Sequence, residues 1–168
     1  MTKRLGHFFL LVGLVLAFST GVAKAAPSTT QPVGPDDADY QLGVEALSKQ
    51  DYQRSFDLFL KAAEVGNSDA MYNVGMQYDN GQGVHQDTQQ AFEWYQKAAA
   101  LGVSDAMFSV GYDYEHAIGV AQNYQQAMAW YQKAAALGDS NAMVNIGTLY
   151  DIGQGIPQDD QQAMAWWQ

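Results

Sequence analysis

A repeat of 36 residues constrains the fold of this chain more than any other feature of its sequence. Five landmarks return at that interval: a Lys-Ala-Ala triplet, a glycine, an Ala-Met pair, a second glycine and a tyrosine. The lysine, for example, stands at Lys61, Lys97 and Lys133. A fixed period of roughly 20 to 50 residues is typical of solenoids and arrays, in which each unit buries its apolar face against its neighbours.

The first half of each repeat has the pattern of an amphipathic helix. Ala70, Val74 and Tyr78 fall on one face of a helix that the spacing predicts from about Asp69 to Asp79. A serine precedes this helix in each repeat, and its hydroxyl would accept a hydrogen bond from the first free backbone amides. The predicted N-caps are Ser68, Ser104 and Ser140.

The second half of each repeat predicts another helix, from about Thr88 to Ala100. Gly102 stands just past its end, where a left-handed residue terminates a helix. Gly75 lies inside the first helix, where a small residue lets neighbouring elements approach closely. The predicted inner face of the second helix is Ala91, Trp94, Tyr95, Ala98 and Ala99. Its predicted N-caps in successive repeats are Asp87, Asn123 and Asp159.

These landmarks resemble the Sel-one-like repeat, or SLR, a relative of the tetratricopeptide repeat. In one repeat the matching residues are Ala70-Met71, Gly75, Tyr78, Gly81-Gln82-Gly83-Val84, Ala91, Trp94, Lys97-Ala98-Ala99 and Gly102. The resemblance covers about residues 38–168. It implies an all-α fold, an α/α solenoid of stacked antiparallel helix pairs in a right-handed superhelix, with a concave face lined by the first helices. It also implies an adaptor role in protein complexes.

The terminal repeats depart from this pattern. The expected units are 38–69, which is short and suits an N-terminal cap, then 70–105, 106–141 and a truncated 142–168. The loop His116-Ala117-Ile118-Gly119 loses its first glycine. The sequence ends at Gln168, where the repeat's lysine would follow. This predicts either a fragment or an end near Trp166 and Trp167 that docks on something, including another copy of the chain.

The N-terminal segment has the three parts of an export signal. Lys3 and Arg4 precede an apolar run over 8–18, and Ala23-Lys24-Ala25 forms an A-x-A cleavage site. The run is short for a transmembrane helix, which needs about 20 residues. We therefore expect a signal peptide over 1–25, a flexible linker over 26–37, and a bacterial protein that is periplasmic or secreted without stable membrane insertion.

The charge balance limits the kinds of partner. The chain has a formal net charge of −10, and beyond residue 25 five basic residues stand against eighteen acidic ones. Such a chain is a poor ligand for nucleic acid and is repelled by anionic lipid. We expect a protein partner with a basic surface. There is no cysteine, which excludes disulfides and thiolate metal sites.

Equivalent positions of the first helices should align into columns when the repeats stack. The face opposite the predicted packing face combines aromatic and amide side chains, which suits a concave protein-binding groove because aromatic residues supply most interface hot spots. The alternative is that the same rings pack between neighbouring repeats. The predicted partner-binding residues are Tyr40, Tyr72, Asn73, Met76, Phe108, Ser109, Tyr112 and Asn145. Trp94 and Trp130 match the repeat motif and are interpreted as core residues.

Other candidate sites have ordinary structural explanations. His85 and His116 lie in different columns and lack metal-ligand spacing, so no metal or other cofactor is expected. The lysines at 61, 97 and 133 are explained by their position at helix C-termini. The acidic column Asp79, Glu115 and Asp151 is interpreted as a solvated edge.

The sequence contains no recognisable catalytic motif, so the chain is not predicted to be an enzyme. The preferred hypothesis is an exported scaffold or adaptor that binds a protein through the concave face of its solenoid. Two alternatives stay open. One is an enzyme acting on β-lactams or the cell wall, as the resemblance to cysteine-rich SLR proteins would imply. The other is a secreted factor that binds a host protein.

Overall fold

The computed structural model describes residues 35–167, which form eight helices joined by short turns, with no strand in that range. The predicted signal peptide and all but the end of the predicted linker lie outside the described residues. None of the helices between residues 35 and 167 has both the length and the apolarity that crossing a membrane requires. The helices are α1 Pro35–Ser48, α2 Tyr52–Glu64, α3 Ser68–Asn80, α4 Thr88–Ala100, α5 Ser104–His116, α6 Tyr124–Ala136, α7 Ser140–Ile152 and α8 Asp160–Trp166.

The helices form four antiparallel pairs stacked in chain order, which confirms the predicted α/α solenoid. The buried residues form three clusters, and each cluster joins the second helix of one repeat to the first helix of the next. In the middle cluster, for example, Phe92 and Tyr95 of α4 lie with Val110 of α5. The buried side chains therefore tie each repeat to the next, in addition to the packing within each helix pair, as expected for a solenoid. Phe92, rather than the predicted Trp94, is the buried neighbour of Tyr95.

The predicted N-caps of the first helices are wrong by one residue, because the serines are already helical. Asn67 caps α3 and accepts a hydrogen bond from the Ala70 amide at 2.8 Å. Asp139 caps α7 in the same way, whereas Val103 begins α5 with no side-chain cap. The predicted caps of the second helices are confirmed: Asp87, Asn123 and Asp159 each accept from backbone amides of the first turn.

Two glycine columns fix how closely the elements pack. A Cβ at Gly75 would lie 2.6 Å from a ring carbon of Tyr95, so glycine is required for the second-helix ring to lie against the first helix. In the loop between the paired helices, a Cβ at Gly83 would overlap the Tyr52 carbonyl oxygen of the preceding repeat. The loop therefore rests directly on the N-terminal turn of α2. This contact explains the glycine that precedes valine in the repeat motif.

Candidate protein-binding face on the first helices

The predicted aromatic column lies in register along the first helices. Each ring packs in a tilted arrangement on the ring that its own repeat's second helix supplies, and each stays partly exposed. The ring centroids are 5.7 Å apart for Tyr40 and Phe59, 5.5 Å for Tyr72 and Tyr95, and 5.6 Å for Phe108 and Tyr131. Each ring therefore packs against the second helix of its own repeat and is partly exposed. We call the surface made by Tyr40, Tyr72, Phe108, Tyr112 and Val144 the first-helix face.

The polar column beside these rings links successive repeats. Burial raises the pKa of the Tyr40 and Tyr72 hydroxyls, and Asn73 and Ser109 of the next repeat oppose that rise as nearby polar groups. Phe108 has no hydroxyl, and Asn145 acts in the same sense on Tyr131, whose pKa is raised first by burial. The polar column therefore lies close to the tyrosine hydroxyls of the preceding repeat.

The remaining predicted residues differ in exposure. Asn73 is only 5% exposed, and its amide donates to the Asp69 carbonyl at 2.8 Å, so it offers little to a partner. Met76 and Tyr112 are half-buried against the core clusters. Tyr112 also stacks on the imidazole of His116 at 4.0 Å between centroids. The structure thus brings the aromatic members together on one surface but withdraws Asn73 from it.

The predicted solvated acidic column is a structural feature instead. The Tyr95 hydroxyl donates to Asp79 at 2.9 Å, and the Tyr131 hydroxyl donates to Glu115 at 2.6 Å. Both carboxylates are half-buried, and only Asp151 of the column is exposed. Burial and then the neighbouring carboxylate raise the pKa of Tyr95 well above its ordinary value, so the ring remains a neutral donor. The sequence offered a signal for this pairing, because Asp79 and Tyr95 share the repeat's register with Glu115 and Tyr131.

A buried carboxyl that sequence reasoning missed lies behind this column. Asp113 is 4% exposed, and its counterparts in the neighbouring repeats are the buried, uncharged Gln77 and Leu149. The Gln77 amide donates to the Tyr52 carbonyl at 3.4 Å, a bond that a carboxylate in its place would not make. Burial, followed by the charge of Asp79, raises the pKa of Asp113 to about 8. The carboxyl is therefore largely protonated at neutral pH.

The tryptophans lie between repeats rather than in the deepest core. Trp94 and Trp130 are partly buried and each packs against the core cluster on the N-terminal side of its own repeat. Trp166 does the same in the last repeat. Trp167 occupies the ring column of Tyr95 and Tyr131, is 47% exposed, and donates its indole N–H to the Val144 carbonyl at 3.2 Å.

The first-helix face combines aromatic and aliphatic side chains with nearby carboxylates. Within residues 35–167, no group of three or more His, Cys, Asp or Glu side chains is placed to hold a metal ion. The face instead presents ring edges, one exposed valine and nearby carboxylates. Asp69 contributes to the raised pKa of Tyr40, and Asp105 to that of Tyr72, in each case after burial. The electrostatic potential at these hydroxyls is therefore negative.

Comparison with known proteins supports the resemblance read from the sequence. The family model for the Sel1 repeat matches residues 36–67, 68–103, 104–139 and 140–168. Each match begins two residues before the corresponding predicted unit. No curated protein matches the sequence. The c5321 protective antigen of uropathogenic Escherichia coli, which displays an SLR fold, has a TM-score of 0.77 and 31% identity over 78% of this chain and 29% of its own.

Two further solved structures have the same repeat architecture. The Sel1 repeat protein from Oxalobacter formigenes has a TM-score of 0.71 and 35% identity, over 76% of this chain and 52% of that one. The Helicobacter pylori cysteine rich protein B has a TM-score of 0.53 and 25% identity, over 65% of this chain and 95% of that one. The chain thus spans about a third to a half of the first two proteins in length.

Proposed function

We propose that this chain, which belongs to the Sel1 repeat family, is an exported scaffold that holds a partner protein on its first-helix face. Sel1 repeat proteins generally serve as scaffolds for protein–protein interactions. The observation that carries the proposal is the row of aromatic rings, in register and each partly exposed, along Tyr40, Tyr72 and Phe108. Rings that are held rigidly by packing lose little conformational entropy on binding, which favours them as interface anchors.

The charges around the face favour a basic partner. Asp69, Asp105 and Asp139 act on the hydroxyls of Tyr40 and Tyr72 and raise their pKa values, after burial. Beyond residue 25 the chain holds only five basic residues, so its field attracts cationic surfaces and repels anionic ones. A segment that combines lysine or arginine with an apolar side chain would match both features.

Val144 offers a clean test because it belongs to the same column and is 52% exposed. Val144→Arg places a positive charge on the face without removing a buried contact, and we expect it to lower partner affinity about tenfold. Partners captured from envelope extract by the full chain would be compared between the wild type and this variant. Gln89→Arg is the matched control, since Gln89 is also exposed but lies on α4, a second helix, and belongs to no surface proposed for binding.

Two results would contradict the proposal. Equal capture by wild type and Val144→Arg would remove the first-helix face from the interface. Failure of the full chain to retain any partner would count against the scaffold role itself. Circular dichroism of both variants must match the wild type for either result to be interpreted.

Export is proposed from the sequence of residues 1–25, and it has its own test. The full chain and a chain lacking residues 1–25 would be expressed in a bacterial host and the cells fractionated. We expect the full chain in the periplasm or medium, shortened after Ala25, and the truncated chain in the cytoplasm. Retention of both chains in the cytoplasm would refute export while leaving the scaffold role open.

Self-association through the last repeat is a further part of the proposal. Ile152, Met164 and Trp167 are 49%, 54% and 47% exposed, which gives this repeat an open apolar surface. Sedimentation velocity over a range of concentrations should show a dimer that Trp167→Ser weakens. A monomer at all concentrations would exclude it.

A further inference from the structure

A second surface of this solenoid repeats as regularly as the first-helix face. The residue at the C-cap of each of three successive second helices is a large aliphatic, and all three are more than half exposed. Val65 is 66% exposed, and Leu101 and Leu137 are each 57% exposed. Single apolar residues scattered on a surface need no explanation, whereas these three recur at the same position of successive repeats. Stacking of the repeats places these three in one row.

A lysine lies one helical turn before each of these residues. The Lys97 ammonium is 3.6 Å from the centroid of the Trp94 ring, and the Lys133 ammonium is 3.7 Å from that of Trp130. This cation–π contact holds each lysine in place on the outer side of its helix. Trp94, Lys97 and Leu101 are spaced by three and four residues, so they occupy one face of α4.

Among residues 35–167, no carboxylate lies within ion-pair distance of Lys97 or Lys133. The last turns of α4 and α6 contain only lysine and alanine. In the first two repeats a glutamate of the same helix lies near the lysine, Glu64 three residues after Lys61 and Glu93 four residues before Lys97, and reduces the local charge. The equivalent position before Lys133 is an alanine, so the basic character is strongest around Leu137.

This row concentrates the positive charge of a strongly acidic chain. Three of the five basic residues beyond residue 25 belong to it, and the others are Lys49 and Arg54. An occupant with complementary chemistry must be acidic and must carry apolar side chains. A peptide contacts only the row, whereas an anionic bilayer would also face the acidic remainder of the chain. Since charges interact over about 8 Å at physiological salt, this difference favours the peptide.

We propose that this lysine–leucine row, made by Val65, Leu101 and Leu137 with Lys61, Lys97 and Lys133, docks an acidic, apolar peptide segment of a protein. The row lies on second helices and shares no residue with the first-helix face. Binding here is therefore independent of the partner proposed above. The chain would join two proteins of opposite surface charge, one on each surface.

Three synthetic peptides of equal length test the chemistry: one of glutamate and leucine, one of lysine and leucine, and one of glutamate and serine. Fluorescence anisotropy of labelled peptide would measure binding to the full chain. We expect the glutamate–leucine peptide to bind most tightly. Leu101→Ser with Leu137→Ser, and separately Lys97→Gln with Lys133→Gln, should each lower that affinity about tenfold.

A matched control uses Leu42→Ser with Lys49→Gln, which removes an exposed leucine and an exposed lysine outside the row. This variant should bind as the wild type does. Added salt should weaken wild-type binding and have less effect on the Lys97→Gln, Lys133→Gln chain. Because all the substituted side chains are on the surface, circular dichroism should confirm that each variant remains folded.

Several outcomes would overturn the proposal. If the lysine–leucine peptide bound as tightly as the glutamate–leucine peptide, the charge of the peptide would play no part in binding. If the glutamate–serine peptide bound as tightly, its leucine side chains would play no part. Unchanged affinity in both double variants would place the peptide elsewhere. Tighter association with phosphatidylglycerol vesicles than with the peptide, lost in the same variants, would assign the row to lipid. Loss of self-association in those variants, without peptide binding, would assign it to a second copy.

Discussion

Replacing Asp113 with asparagine tests the strongest electrostatic conflict inside the solenoid. The Asp113 side chain is 4% exposed, and no hydrogen bond reaches its carboxyl from residues 35–167. Burial, followed by the charge of Asp79, raises its pKa from an ordinary value of 3.8 to about 8. The folded chain therefore retains this proton up to about pH 8, whereas the unfolded chain releases it near pH 4.

The sign of the pH dependence follows from this difference in proton binding. Between about pH 4 and pH 8 the folded chain binds more protons at Asp113 than the unfolded chain, so its contribution to stability falls as pH rises. Each pKa unit corresponds to about 1.4 kcal/mol, and a shift of about four units costs on the order of 5 kcal/mol above pH 8. Asparagine cannot ionise, so Asp113→Asn should match the wild type near pH 4 and be several kcal/mol more stable near pH 8.

Urea unfolding followed by far-ultraviolet circular dichroism, at a series of pH values, measures the difference directly. Asp57→Asn is the control, because it makes the same substitution at an exposed aspartate of α2. A difference between Asp113→Asn and the wild type that stays constant with pH would refute the reasoning. So would a difference that shrinks toward alkaline pH.

Three substitutions between glycine and alanine test the backbone conformation and packing of the repeats. Ala117→Gly should stabilise the chain by about 0.5–1 kcal/mol and raise its melting temperature by roughly 2–4 °C, because Ala117 holds a left-handed conformation with φ of 58° that glycine adopts without strain. Gly81→Ala, at the equivalent position in the preceding repeat, should do the reverse, and equal melting temperatures would show that neither position is strained. Gly111→Ala should lower stability by about 2 kcal/mol in thermal unfolding, because the new Cβ would lie 2.7 Å from a ring carbon of Tyr131. An unchanged melting temperature would mean that the ring moves aside at no cost.

Much of the fold could be predicted from the repeat register alone. The helix predicted from Thr88 to Ala100 has those bounds in the structure. Its cap at Asp87 and its terminating Gly102, with φ of 93°, are also as predicted. These features are local, because capping and left-handed termination depend on residues within a few positions of the helix end. The repeat presents these capping and terminating residues in several copies, which makes them easier to recognise in the sequence.

The N-caps of the first helices show where local reasoning fails. The sequence favours serine as the cap because the same residue recurs at positions 68, 104 and 140. The helices nevertheless begin one residue earlier, and α5 does so after Val103, which makes no side-chain cap. The start of α5 is therefore set by packing against the preceding second helix, whereas Asn67 and Asp139 cap α3 and α7 at the equivalent position. Packing between repeats overrides a weak local preference.

The acidic column could not be interpreted from residue type, because its role depends on groups 16 residues away. Asp79 and Glu115 accept hydroxyl bonds from Tyr95 and Tyr131. The last repeat replaces the tyrosine with Trp167, which has no hydroxyl and donates to a backbone carbonyl instead. The acidic residue of the last repeat, Asp151, has no such hydroxyl partner and is exposed. Of the column Asp79, Glu115 and Asp151, it alone fits the predicted solvated edge.

The ring column explains why stability and binding are coupled on the first-helix face. Phe108 packs on Tyr131, so Phe108→Ala would remove an interior contact as well as a surface anchor. Reduced binding by that variant would then reflect either loss. Val144 stands in the same column and is half exposed, and its contact with the Trp167 ring is made through its backbone carbonyl, which a side-chain substitution leaves in place. A charge introduced at Val144 alters the surface and leaves the core packing in place. The binding experiment therefore uses Val144 rather than the aromatic residues that suggested the interface.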